Sequence, residues 1–232
     1  MIVWLASYPR SGNNLLRQAL NCYYGCKSVS QYAPEAPTEA EIASGKLSPP
    51  MPFNLYFKVD ESVHGASAER YFVKTHNPPH EHKFPALYVV RDGRDALVSY
   101  AHYAFGMNAQ KKPDSPEYQA MLRNLILETR SPFGQWGENV TRWVARPNTA
   151  VLRFEDLLAR PQLELEKALS LIQLKLQPCT GTPLDFKQLH QFNPFTFRRG
   201  QVGSWRDEMP PDLEVLFWKH HGAVMEKLGY PR

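Results

Sequence analysis

Along this chain, short apolar runs alternate with longer stretches in which apolar residues recur at helical spacing. Four runs read as buried strands: Ile2–Ala6, Tyr71–Val73, Ala86–Val90 and Ala150–Phe154. Each is nearly continuously hydrophobic, as a strand covered on both faces must be. Helical spacing appears over Leu15–Tyr23, Asp95–Tyr103, Trp136–Val144, Gln162–Leu174, Leu184–Phe192 and Leu213–Leu228. Strands separated by helices predict an α/β fold of three layers, with a central, mainly parallel sheet flanked by helices. Residues 33–54 contain five prolines and little periodicity, and read as an irregular excursion. Residues 106–117 read as a second polar loop. In such a sheet, ligands bind beyond the carboxyl ends of the strands, so the loops that follow strands carry the chemistry.

Composition narrows the class. With 232 residues, 43% hydrophobic and 22% charged, the chain is expected to form one globular domain over residues 1–232. A net charge of +4, from 27 basic and 23 acidic residues, suggests local anion sites rather than a surface for nucleic acid. No run approaches the roughly 18 apolar residues of a membrane span. The first strand starts at residue 2, which leaves no room for a signal peptide. Cys22, Cys26 and Cys179 are few and odd in number. The first two would share one helix face, but no second pair follows, so they read as plain thiols and not as a metal site. The expectation is a cytoplasmic protein, with neither a membrane nor a nucleic acid as partner.

The first strand breaks at Tyr8-Pro9 into Arg10-Ser11-Gly12-Asn13-Asn14 before a helical segment opens. Strand, polar loop and helix N-terminus in that order suit a phosphate-like anion, held by backbone N–H groups and the positive end of the helix dipole. Arg10 adds a cationic fork, and Ser11, Asn13 and Asn14 add neutral donors. The motif G-x-x-x-x-G-K-[ST] is absent, and with it the hydroxyl that holds magnesium next to the phosphate-loop lysine. A phosphate or sulfate ester handled without a metal is therefore expected.

Three further clusters lie at comparable places. Lys74-Thr75-His76 follows the second apolar run. Lysine can neutralise a departing oxyanion and histidine can take a proton near neutral pH. Arg91 ends the third run and Ser99 lies eight residues on, about two helical turns. Taken alone, Arg91 reads equally well as an ion-pair partner of Asp92 or Asp95. Near the C-terminus, Arg198-Arg199-Gly200-Gln201-Val202-Gly203-Ser204-Trp205 sets two guanidinium forks beside glycine bends. Each cluster is weak alone, but together they imply one ligand with several phosphates.

In this order the segments resemble the PAPS-dependent sulfotransferases, over residues 2 to 205. Tyr8-Pro9-Arg10-Ser11-Gly12-Asn13-Asn14 looks like that family's 5′-phosphosulfate loop, Tyr-Pro-Lys-Ser-Gly-Thr-Thr-Trp. Lys74-Thr75-His76 matches its Lys-Thr-His, which implies a transition-state lysine and a general-base histidine. Arg91 and Ser99 match its 3′-phosphate arginine and serine, and Arg198, Arg199 and Gly200 match its Arg-Lys-Gly. Gly134-Gln135-Trp136 with Trp143 resembles its Gly-x-Trp…Trp segment, and Phe154-Glu155-Asp156 its Tyr-Glu-Asp. The departures are Arg10 for lysine, Asn13-Asn14 for Thr-Thr, Leu15 for the adenine-stacking tryptophan and Ser204 for aspartate. Phe154 or Phe186 could supply the missing ring.

The resemblance implies a fold related to the P-loop NTPases and transfer of a sulfuryl group from PAPS to a small-molecule hydroxyl, or less readily an amine, releasing PAP. His76, Lys74, Arg10 and Ser11 would be catalytic. The nucleotide would bind Arg10, Ser11, Gly12, Asn13, Asn14, Arg91, Ser99, Phe154, Phe186, Arg198, Arg199 and Gly200, with no metal. A homodimer stays open. Two other readings are a module that binds PAP or a sulfate ester without catalysis, and a P-loop nucleotide kinase. Tyr103, Phe105, Tyr118, Phe133 and Trp136 would either line an acceptor pocket or belong to the core.

Overall fold

The computed structural model of the 232-residue chain describes residues 1–33, 35–43, 50–79, 81, 83–106, 111–128, 131–181, 186–192 and 197–232; the side chains of Phe186 and Phe192 lie outside the described set. The elements run β1 (Ile2–Ser7), α1 (Asn13–Tyr24), β2 (Ser28–Ser30), α2 (Glu39–Ala43), β3 (Asn54–Leu55), α3 (Glu61–Ala66), β4 (Tyr71–Thr75) and β5 (Ala86–Val90). They continue with α4 (Gly93–Ala104), α5 (Pro116–Leu127), α6 (Trp136–Ala145), β6 (Thr149–Arg153), α7 (Phe154–Ala159), α8 (Pro161–Leu171), α9 (Phe186–Phe192), a 3-10 turn (Ser204–Asp207) and α10 (Pro211–Lys227).

The strands form one six-stranded sheet in the order β3-β2-β4-β1-β5-β6, and every pairing is parallel. β1 is central because all six of its residues are apolar or small enough to be buried. Its side chains alternate between the two faces. Ile2, Trp4 and Ala6 join the core made with α4, α5, α6 and α10. Val3 and Leu5 join the opposite core with α1, α7 and α8. Each large apolar side chain fully withdrawn from water there contributes about 1.5–3 kcal/mol. This arrangement is the expected three-layer α/β fold with a parallel sheet.

Several local expectations shift. The strands β2 and β3 are too short, at three and two residues, to show as apolar runs. Phe154 does not end the fourth strand but opens α7. Cys22 and Cys26 do not share a helix face, because α1 stops at Gly25, whose φ of 64° takes the left-handed cap conformation. The helix expected to reach Leu174 ends at Leu171. The end of the polar loop 106–117 is already helical, since Ser115 caps α5 by accepting from the Tyr118 N–H. The excursion over 33–54 holds the short α2; residue 34 and residues 44–49 of it lie outside the described set. The same is true of residues 107–110 in the second loop, and of 184 and 185 at the start of the helix before Phe192.

The β1 neighbours are β4 on one side and β5 on the other. That places the segments after β1, β4 and β5 side by side at one edge of the sheet. These are the segments that carry Arg10, His76 and Arg91.

Candidate active site

The loop after β1 is built to leave backbone donors exposed to a ligand. Gly12 caps α1 with φ 105° and offers no side chain to the helix's first N–H groups. A Cβ on Gly12 would lie 2.5 Å from Cδ2 of Phe154, so the close approach of that ring requires glycine as well. Arg10 also takes a left-handed backbone, φ 64°, a conformation that costs a non-glycine residue on the order of 1 kcal/mol. The two asparagines divide their work. Asn13 donates from Nδ2 to the Leu5 carbonyl at 2.8 Å and to Ser7 Oγ at 3.3 Å, and so ties the loop to β1. Asn14 Oδ1 accepts from Arg17 Nη1 at 3.2 Å, and Asn14 lines the cavity described below. Ser11 is buried, its Oγ lacks a partner among the described residues, and it does not line the cavity.

At the end of β4, His76 and Lys74 reach the same edge. His76 Nδ1 lies 2.8 Å from the Ser7 carbonyl oxygen. A carbonyl only accepts, so Nδ1 carries the hydrogen and Nε2 keeps its lone pair. Burial and the neighbouring Lys74 charge push His76 down to about 3, against a partial rise from the Ser7 bond. The ring is neutral at physiological pH. Burial, with the charges of Arg17 and Arg10, pushes Lys74 down to about 7. Arg17 supplies much of that repulsion, because its buried guanidinium meets only neutral acceptors among the described residues: Ser28 Oγ at 2.7 Å, Asn54 Oδ1 at 2.6 Å and Asn14. Nothing in the hydrophobic pattern distinguished Arg17 from a solvated helix residue.

A second, cationic wall lines the cleft. Arg91 Nη2 donates to the Gln201 carbonyl at 2.9 Å and pairs with Asp95 at 3.5 Å, and its guanidinium lies 4.5 Å from the Phe154 ring centroid. Its Nε is buried without a partner among the described residues. Asp95 in turn accepts from the backbone N–H groups of Gly203 at 2.7 Å and Trp205 at 2.9 Å, fastening the C-terminal arginine segment to α4. Arg10 reaches this wall too: its Nε donates to Ser99 Oγ at 3.2 Å and its guanidinium sits over the Tyr103 ring. Burial lowers Arg10 to about 10, with Arg91 and Arg198 adding repulsion against a favourable effect of Tyr103.

These groups share one cavity of about 630 Å³, within the range of small-molecule sites. Its lining brings together Arg10, Gly12, Asn13, Asn14, Lys74, His76, Arg91, Ser99, Phe154, Arg198, Arg199 and Gly200. Of the residues expected from sequence, Ser11 lies just behind the lining, and the Phe186 side chain falls outside the described residues. Phe154, Leu15, Leu158 and Leu189 add apolar lining. Tyr32, Tyr100, Tyr103 and Phe133 line the cavity as well; Tyr32 stacks on the His76 ring at 5.8 Å and Phe133 meets it edge-on. Tyr118 and Trp136 are core instead, and Phe105 packs against the core. Tyr32 had no motif around it to mark it in the sequence, and Tyr100, directly after Ser99, was not singled out as a lining residue.

Comparison with known proteins puts names beside this geometry. The profile of the sulfotransferase domain family matches residues 2–229. Mouse Sulfotransferase 1A1 is 25% identical over 255 residues, covering 96% of this chain and 84% of the relative. The 3-alpha-hydroxysteroid sulfotransferase of Cavia porcellus is likewise 25% identical, over 97% of this chain and 83% of its own length. Among solved structures, mouse sulfotransferase SULT7A1, complexed with PAP, superposes with a TM-score of 0.63 at 16% identity, over 98% of this chain and 88% of that one. A retinol dehydratase complexed with androsterone and PAP gives 0.64 at 20% identity, over 97% and 80%.

Proposed function

The chain belongs to the sulfotransferase domain family and is an enzyme of that class, and from that premise we propose how its residues divide the transfer of a sulfuryl group from PAPS to an acceptor. The polyanionic nucleotide fits the donor set. Cations line both walls, Arg91 Nε and Ser11 Oγ are buried without partners among the described residues, and the N-cap of α1 is a glycine with no side chain to cap it. Backbone N–H groups at Gly12–Asn14 and the Asn14 amide would hold the 5′-phosphosulfate. Arg91, Ser99, Arg198, Arg199 and Gly200 would hold the 3′-phosphate, with Phe154 against the base.

One observation carries the assignment of the base: the Ser7 carbonyl fixes the hydrogen of His76 on Nδ1. Nε2 is thereby left to take the proton of an acceptor hydroxyl as the acceptor oxygen bonds to sulfur and the sulfur–oxygen bond to PAP breaks. Bound PAPS contributes only the activated sulfuryl group. Lys74 stands two residues away on the same strand end to meet charge on the transferring group, and Arg10 assists from the far wall. Positioning and electrostatics supply the rate, and no covalent intermediate is needed.

The aromatic side chains Tyr32, Tyr100, Tyr103 and Phe133 fit a small, partly apolar acceptor with a hydroxyl, and an amine less readily. We assign the whole chain to one sulfotransferase domain, at home in the cytoplasm; sedimentation would decide between monomer and homodimer. Among the described residues, no helix is long and apolar enough to cross a membrane.

The test is calorimetric titration of PAP against AMP, ADP and ATP without magnesium. A clear preference for PAP is expected, followed by turnover of PAPS with hydroxylated acceptors. Equal or better binding of ATP would overturn the nucleotide assignment.

A further inference from the structure

Glu208 belongs to none of the motifs above, yet it is where the arginine wall is anchored. It follows the 3-10 turn directly, its N–H donating to the Trp205 carbonyl at 3.0 Å. Only 3% of the residue is exposed. Its two carboxylate oxygens accept from both terminal nitrogens of Arg198, at 3.0 and 2.9 Å. Arg199 Nη1 lies 2.9 Å from the same carboxylate, and His102 Nε2 from α4 bonds it as well. Burial raises the Glu208 carboxyl, but the bonds from His102 and Arg198 outweigh it and hold the group below its ordinary range. It is therefore an anion across the neutral range.

The arrangement has a direction. Arg198 and Arg199 line the cavity, whereas Glu208 does not and faces them from the protein interior. An end-on carboxylate pair occupies both terminal nitrogens of Arg198, the same atoms a phosphate would use for a bidentate contact. One carboxylate shared among two arginines and a histidine keeps other partners when one fork turns away, so exchange is less costly than breaking an isolated buried pair.

We propose that Glu208 sets the selectivity of this site for a 3′-phosphorylated nucleotide, by competing with the 3′-phosphate for the forks of Arg198 and Arg199. Glu208 is a positioning residue: it acts through the two arginines and touches neither sulfur nor acceptor. The proposal rests on the nucleotide assignment made above.

The test titrates PAP and AMP, which differ by the 3′-phosphate, into the wild type and Glu208→Gln. The amide keeps the shape and one acceptor but removes the competing charge. PAP should bind the variant about fivefold more tightly, as expected for removing a like charge close to a phosphate, with AMP changed less than about twofold. An unchanged PAP-to-AMP affinity ratio, or a fall in PAP affinity, would overturn the proposal and leave Glu208 as a plain structural anchor. A crystal structure of the wild type with PAP tests the same point without a variant. Arg198 should have transferred at least one terminal nitrogen from Glu208 to the 3′-phosphate, and an intact bidentate Arg198–Glu208 pair would contradict competition. Failure of the wild type to prefer PAP over AMP would instead bring down the nucleotide assignment, and it would be seen before any variant is made.

Discussion

Arg10 Nε donates to Ser99 Oγ across 3.2 Å, joining the loop after β1 to the second turn of α4 from 89 residues away in sequence. The contact draws the guanidinium toward the wall assigned to the 3′-phosphate, where Arg91 and Arg198 already raise the local positive potential. In the sulfotransferase loop that this segment resembles, the residue is a lysine; a planar fork at this position can serve the transferring group and the 3′-phosphate wall at once. Arg10→Ala is expected to weaken PAP about ten- to a hundredfold, the worth of one charge-assisted hydrogen bond, and AMP much less. Paired calorimetric titrations of PAP and AMP check this. Equal losses for both ligands would confine Arg10 to the transferring group.

His76→Asn removes the base while keeping a polar side chain of similar reach. Turnover should fall about 10²- to 10⁴-fold with PAP affinity nearly intact. The depressed value of His76, about 3, reflects burial and the Lys74 charge, and a bound polyanion offsets the second of these. The acid limb of kcat should therefore lie above pH 3 and disappear in the variant. Near-normal turnover of the variant with saturating PAPS would remove His76 from the base role.

Lys74 gives a prediction about pH and stability. Its folded value of about 7 lies below the ordinary 10.5 of the unfolded chain. Between these limits the unfolded chain binds the additional proton, so the contribution of Lys74 to stability rises with pH from about 7 to about 10.5 and is flat outside that window. Lys74→Met should flatten this slope in urea unfolding between pH 7 and pH 10. By the same logic, PAP binding at pH 8.5 should take up protons in the wild type and not in Lys74→Met. Titrations in buffers of different ionisation enthalpy read that uptake directly.

Asn139 is fully buried and joins three segments: its Nδ2 donates to the carbonyls of His76 at 3.0 Å and Phe133 at 2.9 Å, and its Oδ1 accepts from Tyr88 at 3.0 Å. Asn139→Ala strands two carbonyls and a phenol, which should cost about 2–4 kcal/mol. Because one of those carbonyls belongs to His76, kcat should fall further than KM for PAPS rises. Urea unfolding and steady-state kinetics on the same preparation check both. A stability loss with unchanged kcat would make Asn139 a purely structural brace.

Much of the site was legible because its chemistry is local. The segments Tyr8–Asn14, Lys74–His76, Arg91–Ser99 and Arg198–Gly200 each follow or flank an element boundary that short-range pattern marks, and all four contribute to one cavity. Less legible were the residues whose roles depend on partners far along the chain. The Glu208 carboxylate accepts from residues 10 and 106 positions away, and the Asn139 amide bridges His76 across 63. A glutamate after a turn and an asparagine inside a helix carry no periodic signature. The acceptor side was equally hidden, since Tyr32 lies in the turn after the short β2 and comes beside His76 only after β2 pairs with β4.

The sequence by itself determined the central strands and the order of the cationic segments, because apolar runs, turn chemistry and charged motifs act over a few residues; the reaction class followed from the family resemblance those segments carry. The tertiary structure alone decided which asparagine ties the loop to β1, where the Arg10 fork points, which ring nitrogen of His76 is free and which carboxylate holds the arginine wall. Each of those outcomes is a hydrogen bond whose partner is fixed only by strand register and helix packing, so no local pattern could encode it.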